Sequence, residues 1–447
     1  MAEVVGALSY ALDITEGQPE GHAVRSCMIG MRLAEEIGLS ESQRSSLFYA
    51  LLLKDLGCSS NAAKVCYLFG ADDQTVKQGF KYTDWQSVMK SLPYIIRSVA
   101  PSGTPGERIN RFFEVAIRGT RGAKQLVKIR CERGAMIARD LDLPEEAVQA
   151  IRNLDEHWNG KGHPDGLRKK QIPLLARILG LAQTAEVFVS RYGMTAALDI
   201  VRNRKGTWFD PELVRAFESI SGDAEFWMQV LSAEALDRIA EIEPSELVVR
   251  ADEQAIDRIC AAFAQVVDAK SPWTACHSEG VSEVAVGIGR TLGLPESDIT
   301  SLRRAGLLHD IGKLGVSNRI LDKPGRLTEA EFETLKAHPA HTHTILSRSP
   351  CFTPIADLAA RHHEKLDGSG YGQGLSAAEL TLPDRILCVA DMYEALAAKR
   401  PYRKDMTGEE VFDILDRQAG TTICPESVEA LHRFIDSSGF KPYQIAA

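Results

Sequence analysis

The chain repeats itself. His22 and Lys54 stand 32 residues apart, and so do His277 and His309. Lys54-Asp55-Leu56-Gly57 falls where the second half has His309-Asp310-Ile311-Gly312. Further on, LDEHWNGKGHPDGL (154–167) parallels HHEKLDGSGYGQGL (362–375) at an offset of 208, and the same offset aligns ILGLAQ (178–183) with ILCVAD (386–391). One matching block would be weak, but three in the same order, the last two at one offset, are a duplication. At 447 residues the chain also exceeds what one ordinary core fills. Two halves of one architecture are therefore expected.

The periodicity of both halves is helical. HAVRSCMIGMRLAEEIG (22–38) and HSEGVSEVAVGIGRTLG (277–293) place apolar residues three and four apart and close on Gly. Long alternating runs are missing, so the expected class is all-α. The stretch 241–253, with Pro and charge, marks the boundary, giving domains at 1–243 and 254–447. The first half carries extra material at about 66–125, expected to form helices and loops over a cleft or partner face. The net charge of −9, without a basic run, argues against DNA binding. Nine scattered cysteines without a CxxC pair fit reduced thiols. No signal-peptide layout and no apolar stretch of about 20 residues is present. A cytoplasmic protein without a membrane partner is expected.

Eight of the eleven histidines lie after residue 250. Imidazoles and carboxylates together suit Fe, Mn or Zn. The candidate ligands are His277, His309, Asp310, His338, His362, His363 and Asp391. On a helix, adjacent His309 and Asp310 would point about 100° apart. Asp310, with two oxygens, is the natural bridge between two cations. Lys313, four residues after His309, would share its face and meet a phosphate oxygen. A lone His-Asp pair, a His-His pair or one buried Asp is common without a metal; their joint presence carries the reading. His341, His343 and His432 are taken as solvated or structural, and Cys276 as inert. In the first half the seven positions hold His22, Lys54, Asp55, Arg130, Leu154, Asp155 and Gln183. Lys54 and Arg130 put fixed positive charge where metals would sit.

LLHDIGKLGV (307–316), ILDKPGRLTEAE (320–331), KAHP (336–339), HHEKLDGSGYGQGL (362–375), ILCVADMYEAL (386–396) and KRPYR (399–403) resemble the HD-GYP domain, a subgroup of the HD-type metal-dependent phosphohydrolases. The resemblance implies tandem HD-type helical bundles, the first degenerate and metal-free, with a regulatory or interface role. It implies two divalent ions, iron or manganese first, with Zn, Ni or Co also compatible. It further implies hydrolysis of a cyclic dinucleotide, cyclic di-GMP in the main reading, to linear pGpG. The alternatives are 3',3'-cyclic GMP-AMP as substrate, or a receptor that binds without turnover. The resemblance carries over all seven ligands, with Asp310 and Lys313 catalytic. It gives Lys313, Tyr371, Arg400 and Arg403 as substrate contacts. A diguanylate cyclase or other signalling protein, and a second copy of the chain, are the expected protein partners. Two positions depart from the pattern. Gly372 replaces the signature Pro and is expected to loosen its loop. Trp273 stands where some members place a Glu for a third metal.

Overall fold

Helix starts in this chain carry their own caps. The Ser40, Thr328, Thr381 and Thr407 side chains each accept from the N–H three residues on, and Gln43, Glu331, Asp384 and Glu410 return the bond. Such boxes satisfy N–H groups that a helix leaves bare. Pro105, Pro211, Pro383 and Pro425 occupy first turns, where a missing N–H costs nothing. The computed structural model describes residues 2–85, 87–236, 238–244, 252–274, 276–398 and 406–440. Among the described residues there are helices and isolated bridges but no strand, as the periodicity predicts. No described helix is long and apolar enough to cross a membrane.

The chain divides into two units, Met1–Asp252 and Glu253–Ala447. The first contains α1 (Ala2–Thr15), α2 (His22–Glu36), α3 (Glu41–Leu52), α4 (Ala62–Phe69), α5 (Asp73–Tyr82), α6 (Val88–Ser98), α7 (Pro105–Asp140), α8 (Glu145–Arg152), α9 (Leu174–Asn203), α10 (Pro211–Ile220), α11 (Ala224–Val230) and α12 (Ile239–Ile242). The second contains α13 (Glu253–Asp268), α14 (His277–Thr291), α15 (Glu296–Leu308), α16 (Asn318–Leu321), α17 (Glu329–Lys336), α18 (His338–Leu346), α19 (Thr353–Ala360), α20 (Leu382–Ala397), α21 (Gly408–Gln418) and α22 (Pro425–Ser438).

In the second unit α14 packs on α13, α15, α20 and α22. Val281, Val284 and Ile288 of α14, Ile299, Leu302 and Leu308 of α15, and Ile386, Leu387 and Val389 of α20 are buried. Each such side chain contributes about 1.5–3 kcal/mol. Gly306 lets α15 lie close to α14, because a Cβ there would sit 2.7 Å from the Ser282 Cα. In the first unit α2 packs likewise on α1, α3 and α9. The extra material forms α5, α6 and the start of α7 around a small core that includes Val65, Phe69, Val76 and Val99.

Candidate metal centre

Each ligand candidate is placed by a helix end or a turn. His277 opens α14, after Cys276 in a left-handed conformation. The Asp268 carboxylate fixes that start by accepting from the Ser278 N–H at 3.1 Å and its hydroxyl at 2.8 Å. The α15 helix stops at Leu308, and a 3-10 turn begins at Ile311. His309 and Asp310 therefore do not fan out along one helix as the spacing suggests. The chain turns between them and brings both inward. Gly312 makes the turn possible: a Cβ there would lie 2.0 Å from the His338 carbonyl oxygen. The Gly312 N–H donates to Thr342 Oγ1 at 3.0 Å, and that hydroxyl donates to the His309 carbonyl at 2.8 Å. The start of α18, and with it His338, is thereby pinned against His309-Asp310.

The histidines share one device. His309, His338 and His362 each place Nδ1 on the carbonyl three residues earlier, Gly306 at 2.8 Å, Leu335 at 2.7 Å and Ala359 at 2.7 Å. Those carbonyls hold the proton on Nδ1 and leave Nε2 as an acceptor. His277 uses the Glu394 carboxylate for the same purpose.

The Asp310 carboxylate divides the cluster in two. Its Oδ2 lies 3.3 Å from His309 Nε2 and 3.6 Å from His277 Nε2. Asp391 Oδ1 completes that side, 3.3 Å from His277 Nε2 and 3.7 Å from His309 Nε2. Asp310 Oδ1 lies 3.4 Å from His338 Nε2 and 3.6 Å from His362 Nε2. His363 joins His338 and His362 on that side, with Nδ1 3.7 Å from Asp391 Oδ2. Each side thus gathers three side chains and one oxygen of Asp310, with donor atoms within 4.8 Å of one another in each triad. All seven sequence-predicted ligands meet here.

The electrostatics suit cations. Burial would raise the Asp310 carboxyl, but His309, Lys313 and His277 outweigh it and hold it well below the usual carboxylate range. Asp391 is buried too and is held low by His277, His309 and His363. Burial keeps the His338, His362 and His363 imidazoles neutral, His363 at about 3, and outweighs Asp310 beside His338 and Asp391 beside His363. Neutral imidazole and ionised carboxylate are the ligating forms. Burial would lower His277 and His309 as well, but Glu394 beside the first and Asp310 beside the second raise them, so an ion entering that side would displace a proton from each. His309 Nε2 and Asp310 Oδ1 are buried and lack a hydrogen-bond partner. Each such atom costs about 1–3 kcal/mol. A divalent cation on each side would satisfy them, so the donor set fits metal.

Lys313 and His309 converge on one oxygen, Asp310 Oδ2. Lys313 Nζ bonds it at 2.5 Å, on the partly exposed rim of the cluster. The Tyr371 ring lies over His363 at 4.5 Å between centroids and 32° between planes. Its loop is tied down rather than slack. Glu364 accepts from the N–H groups of Gln373 at 2.6 Å, Gly374 at 3.1 Å and Leu375 at 2.9 Å. Gly372 has φ of 124°, a conformation closed to Pro. The Gly therefore sets a different backbone path here, not a looser one. Trp273 brings no carboxylate to the site, and its N–H donates to Ser271 Oγ at 3.3 Å. Arg400 and Arg403 lie outside the described residues.

Sequence reasoning missed Glu394, although the 208 offset pairs it with Glu186, which holds His22 in the same way. It also missed two lysines of α5. Lys81 Nζ lies 3.9 Å from Asp55, 3.5 Å from Glu16 and 3.3 Å from His22 Nε2. Lys77 Nζ lies 3.9 Å from Glu16 and donates to the Cys58 carbonyl at 2.8 Å. Lys54 bonds Asp55, and Arg130 bonds Asp155. Glu16, Asp55 and Cys58 lie close enough to hold an ion. Ammonium groups already occupy those carboxylates, however, and burial, with Glu16 next, keeps the Cys58 thiol protonated. The remnant cleft beside Asp155, His157, Gln183 and Trp208 has a volume of about 40 Å³, room for water but not for a nucleotide.

The chain matches the HD domain family over residues 119–213 and 261–426, so both halves contribute. It is 41% identical to the 3'3'-cGAMP-specific phosphodiesterase 3 of Vibrio cholerae serotype O1, over 98% of this chain and 95% of that protein. It is also 41% identical to a cyclic di-GMP phosphodiesterase of Thermotoga maritima, over 34% of this chain and 42% of that one. Among solved structures it resembles a cyclic GMP-AMP specific phosphodiesterase of V. cholerae, with a TM-score of 0.65 and 38% identity. That match covers 98% of this chain and 97% of the other.

Proposed function

The chain belongs to the HD domain family, and on that premise we propose that it is a metal-dependent cyclic dinucleotide phosphodiesterase whose substrate is 3',3'-cyclic GMP-AMP. The observation that carries the chemistry is the two-sided cluster around Asp310. The observation that favours the mixed ring is the full-length relationship to a protein named for that substrate. The cyclic di-GMP expected from sequence motifs becomes the second reading. Relatives named for it match about a third to a half of the chain.

The seven side chains would hold two divalent ions, with Asp310 as bridge and Fe or Mn best suited to the mixed N and O donors. When bound, such ions supply a water ionised near neutral pH and polarise the phosphoryl oxygen. Lys313, on the rim, releases Asp310 to meet a phosphate oxygen and offset the charge developing there. The Tyr371 ring presents an aromatic face to a base of the ring. Arg400 and Arg403 add phosphate contacts. Opening one phosphodiester bond gives the linear dinucleotide. Residues 254–447 form the catalytic domain, and residues 1–243 a metal-free regulatory or interface domain.

The test is turnover of both rings by purified protein loaded with Mn or Fe. The mixed ring should be consumed faster, and Asp310→Ala should abolish turnover with the helical signal retained. Faster loss of cyclic di-GMP would reverse the ring choice. Tight binding of either ring without turnover in metal-replete protein would make the chain a receptor.

A further inference from the structure

We infer that Phe332 is a substrate-binding residue that stacks a base of the cyclic dinucleotide, and that with Tyr371 it forms a two-walled base site at the mouth of the metal centre. This rests on the phosphodiesterase reading above. Phe332 lies on α17, a helix without a single fully buried residue. It is 43% exposed, and among the described residues of the second unit it is the one large apolar side chain left exposed. A lone exposed aromatic needs no explanation by itself. The place of this one supplies the argument.

The α17 helix leads into α18, which opens on His338, six residues after Phe332. The Phe332 ring meets the Tyr371 ring at 6.2 Å between centroids and 70° between planes. Tyr371 in turn lies 4.5 Å from the His363 ring and 6.3 Å from the His338 ring. His363, Tyr371 and Phe332 thus step outward from the metal ligands, ring by ring. An edge-to-face pair turns its faces in different directions. Two bases joined in one cyclic molecule can therefore each meet an aromatic wall. Lys336 Nζ covers one face of the Phe332 ring at 5.2 Å, which leaves the other for a base.

The first unit serves as a control. The offset of 208 sets Lys124 at the position of Phe332 and His163 at that of Tyr371. The two still stand together, since burial first and Lys124 second lower the His163 imidazole. A lysine and an imidazole thus replace both large aromatic faces in the half whose cleft has room for water only. The helical architecture persists without Phe332 and Tyr371, so it does not require them.

The test uses full-length protein loaded with Mn and whichever ring it consumes faster. Stacking of a base on an aromatic side chain is worth a factor of about 5 to 150 in binding. Phe332→Ala should raise KM by a factor in that range, with kcat within about twofold of the parent and metal content unchanged. Phe332→Trp should restore KM. Phe332→Leu, apolar but without a ring face, should not. An unmoved KM in Phe332→Ala, a loss of kcat in place of KM, or rescue by leucine would each overturn the base site and leave the phosphodiesterase standing. If the parent protein binds a ring without turnover, the same comparisons are read as Kd. A parent protein that neither binds nor consumes either ring would end the phosphodiesterase reading and this inference together.

Discussion

A histidine serves a metal well when its other ring nitrogen is already committed. At His277 that commitment falls to Glu394, three residues after Asp391 on α20. Such outer partners hold ring orientation and raise ligand basicity, and losing one costs about 10- to 100-fold in metal affinity. Glu394→Gln should show that loss in competition with a chromogenic chelator while the helical signal stays intact. Unchanged affinity would reduce Glu394 to a packing residue. The seven side chains that cluster around Asp310 were legible in the sequence because their types announce the chemistry. Glu394 was not, because one acid on a helix has many ordinary uses; only the 208 offset distinguishes it. His157 offers a pH test away from the centre. Burial first, then Arg204 and His163, holds its imidazole at about 3. It stacks on Trp208 at 3.9 Å. The folded value lies below the unfolded one. The contribution is therefore fully present above about pH 6.5 and is lost as pH falls toward 3. Denaturant titrations should find His157→Phe losing less stability than the parent between pH 8 and pH 5, by about 2 kcal/mol. Comparing the two proteins cancels Asp13, which burial raises to about 7 and which slopes the opposite way. Equal losses would mean that His157 titrates normally.

At the level of elements, the same crossing is built twice. Gly312 lies against the His338 carbonyl, and Gly57 lies against the Arg130 carbonyl at 1.9 Å from an added Cβ. The first unit keeps this crossing without the ligands. It is thus a requirement of the helical architecture and not of the metals. Gly312→Ala and Gly57→Ala should each destabilise their own unit by about 3 kcal/mol or more, since backbone must move to admit the methyl group. Thermal unfolding followed by circular dichroism would check this, and tolerance of either substitution would refute it. The 3.6-residue period made the helices and their order legible. It could not show that α15 ends one residue before His309, because that stop depends on close approach to α18, which lies about thirty residues further along the chain. Nor could composition show that α5 sends Lys77 and Lys81 into the old ligand position, since a lysine on an amphipathic helix ordinarily faces water.

Across the whole molecule, the duplication compares two ways to neutralise buried carboxylates. In the first unit Lys54, Lys77, Lys81 and Arg130 stand on Glu16, Asp55 and Asp155. These cations are covalent parts of the chain and cannot be chelated. In the second unit His309 Nε2 and Asp310 Oδ1 wait without partners. Stability should therefore depend on metal in one half alone. Free metal at 100 times its dissociation constant adds about 2.7 kcal/mol to the unit that binds it. Four of the five tryptophans, Trp85, Trp158, Trp208 and Trp227, belong to the first unit, so tryptophan fluorescence reports chiefly on that half. Chelation should lower a calorimetric transition that fluorescence scarcely sees, and Mn or Fe should restore it. The fluorescence transition should stay in place throughout. If chelation moves the fluorescence transition by as much as the calorimetric one, the fixed cations do not replace metal, and the first unit holds an ion of its own at Glu16, Asp55 and Cys58.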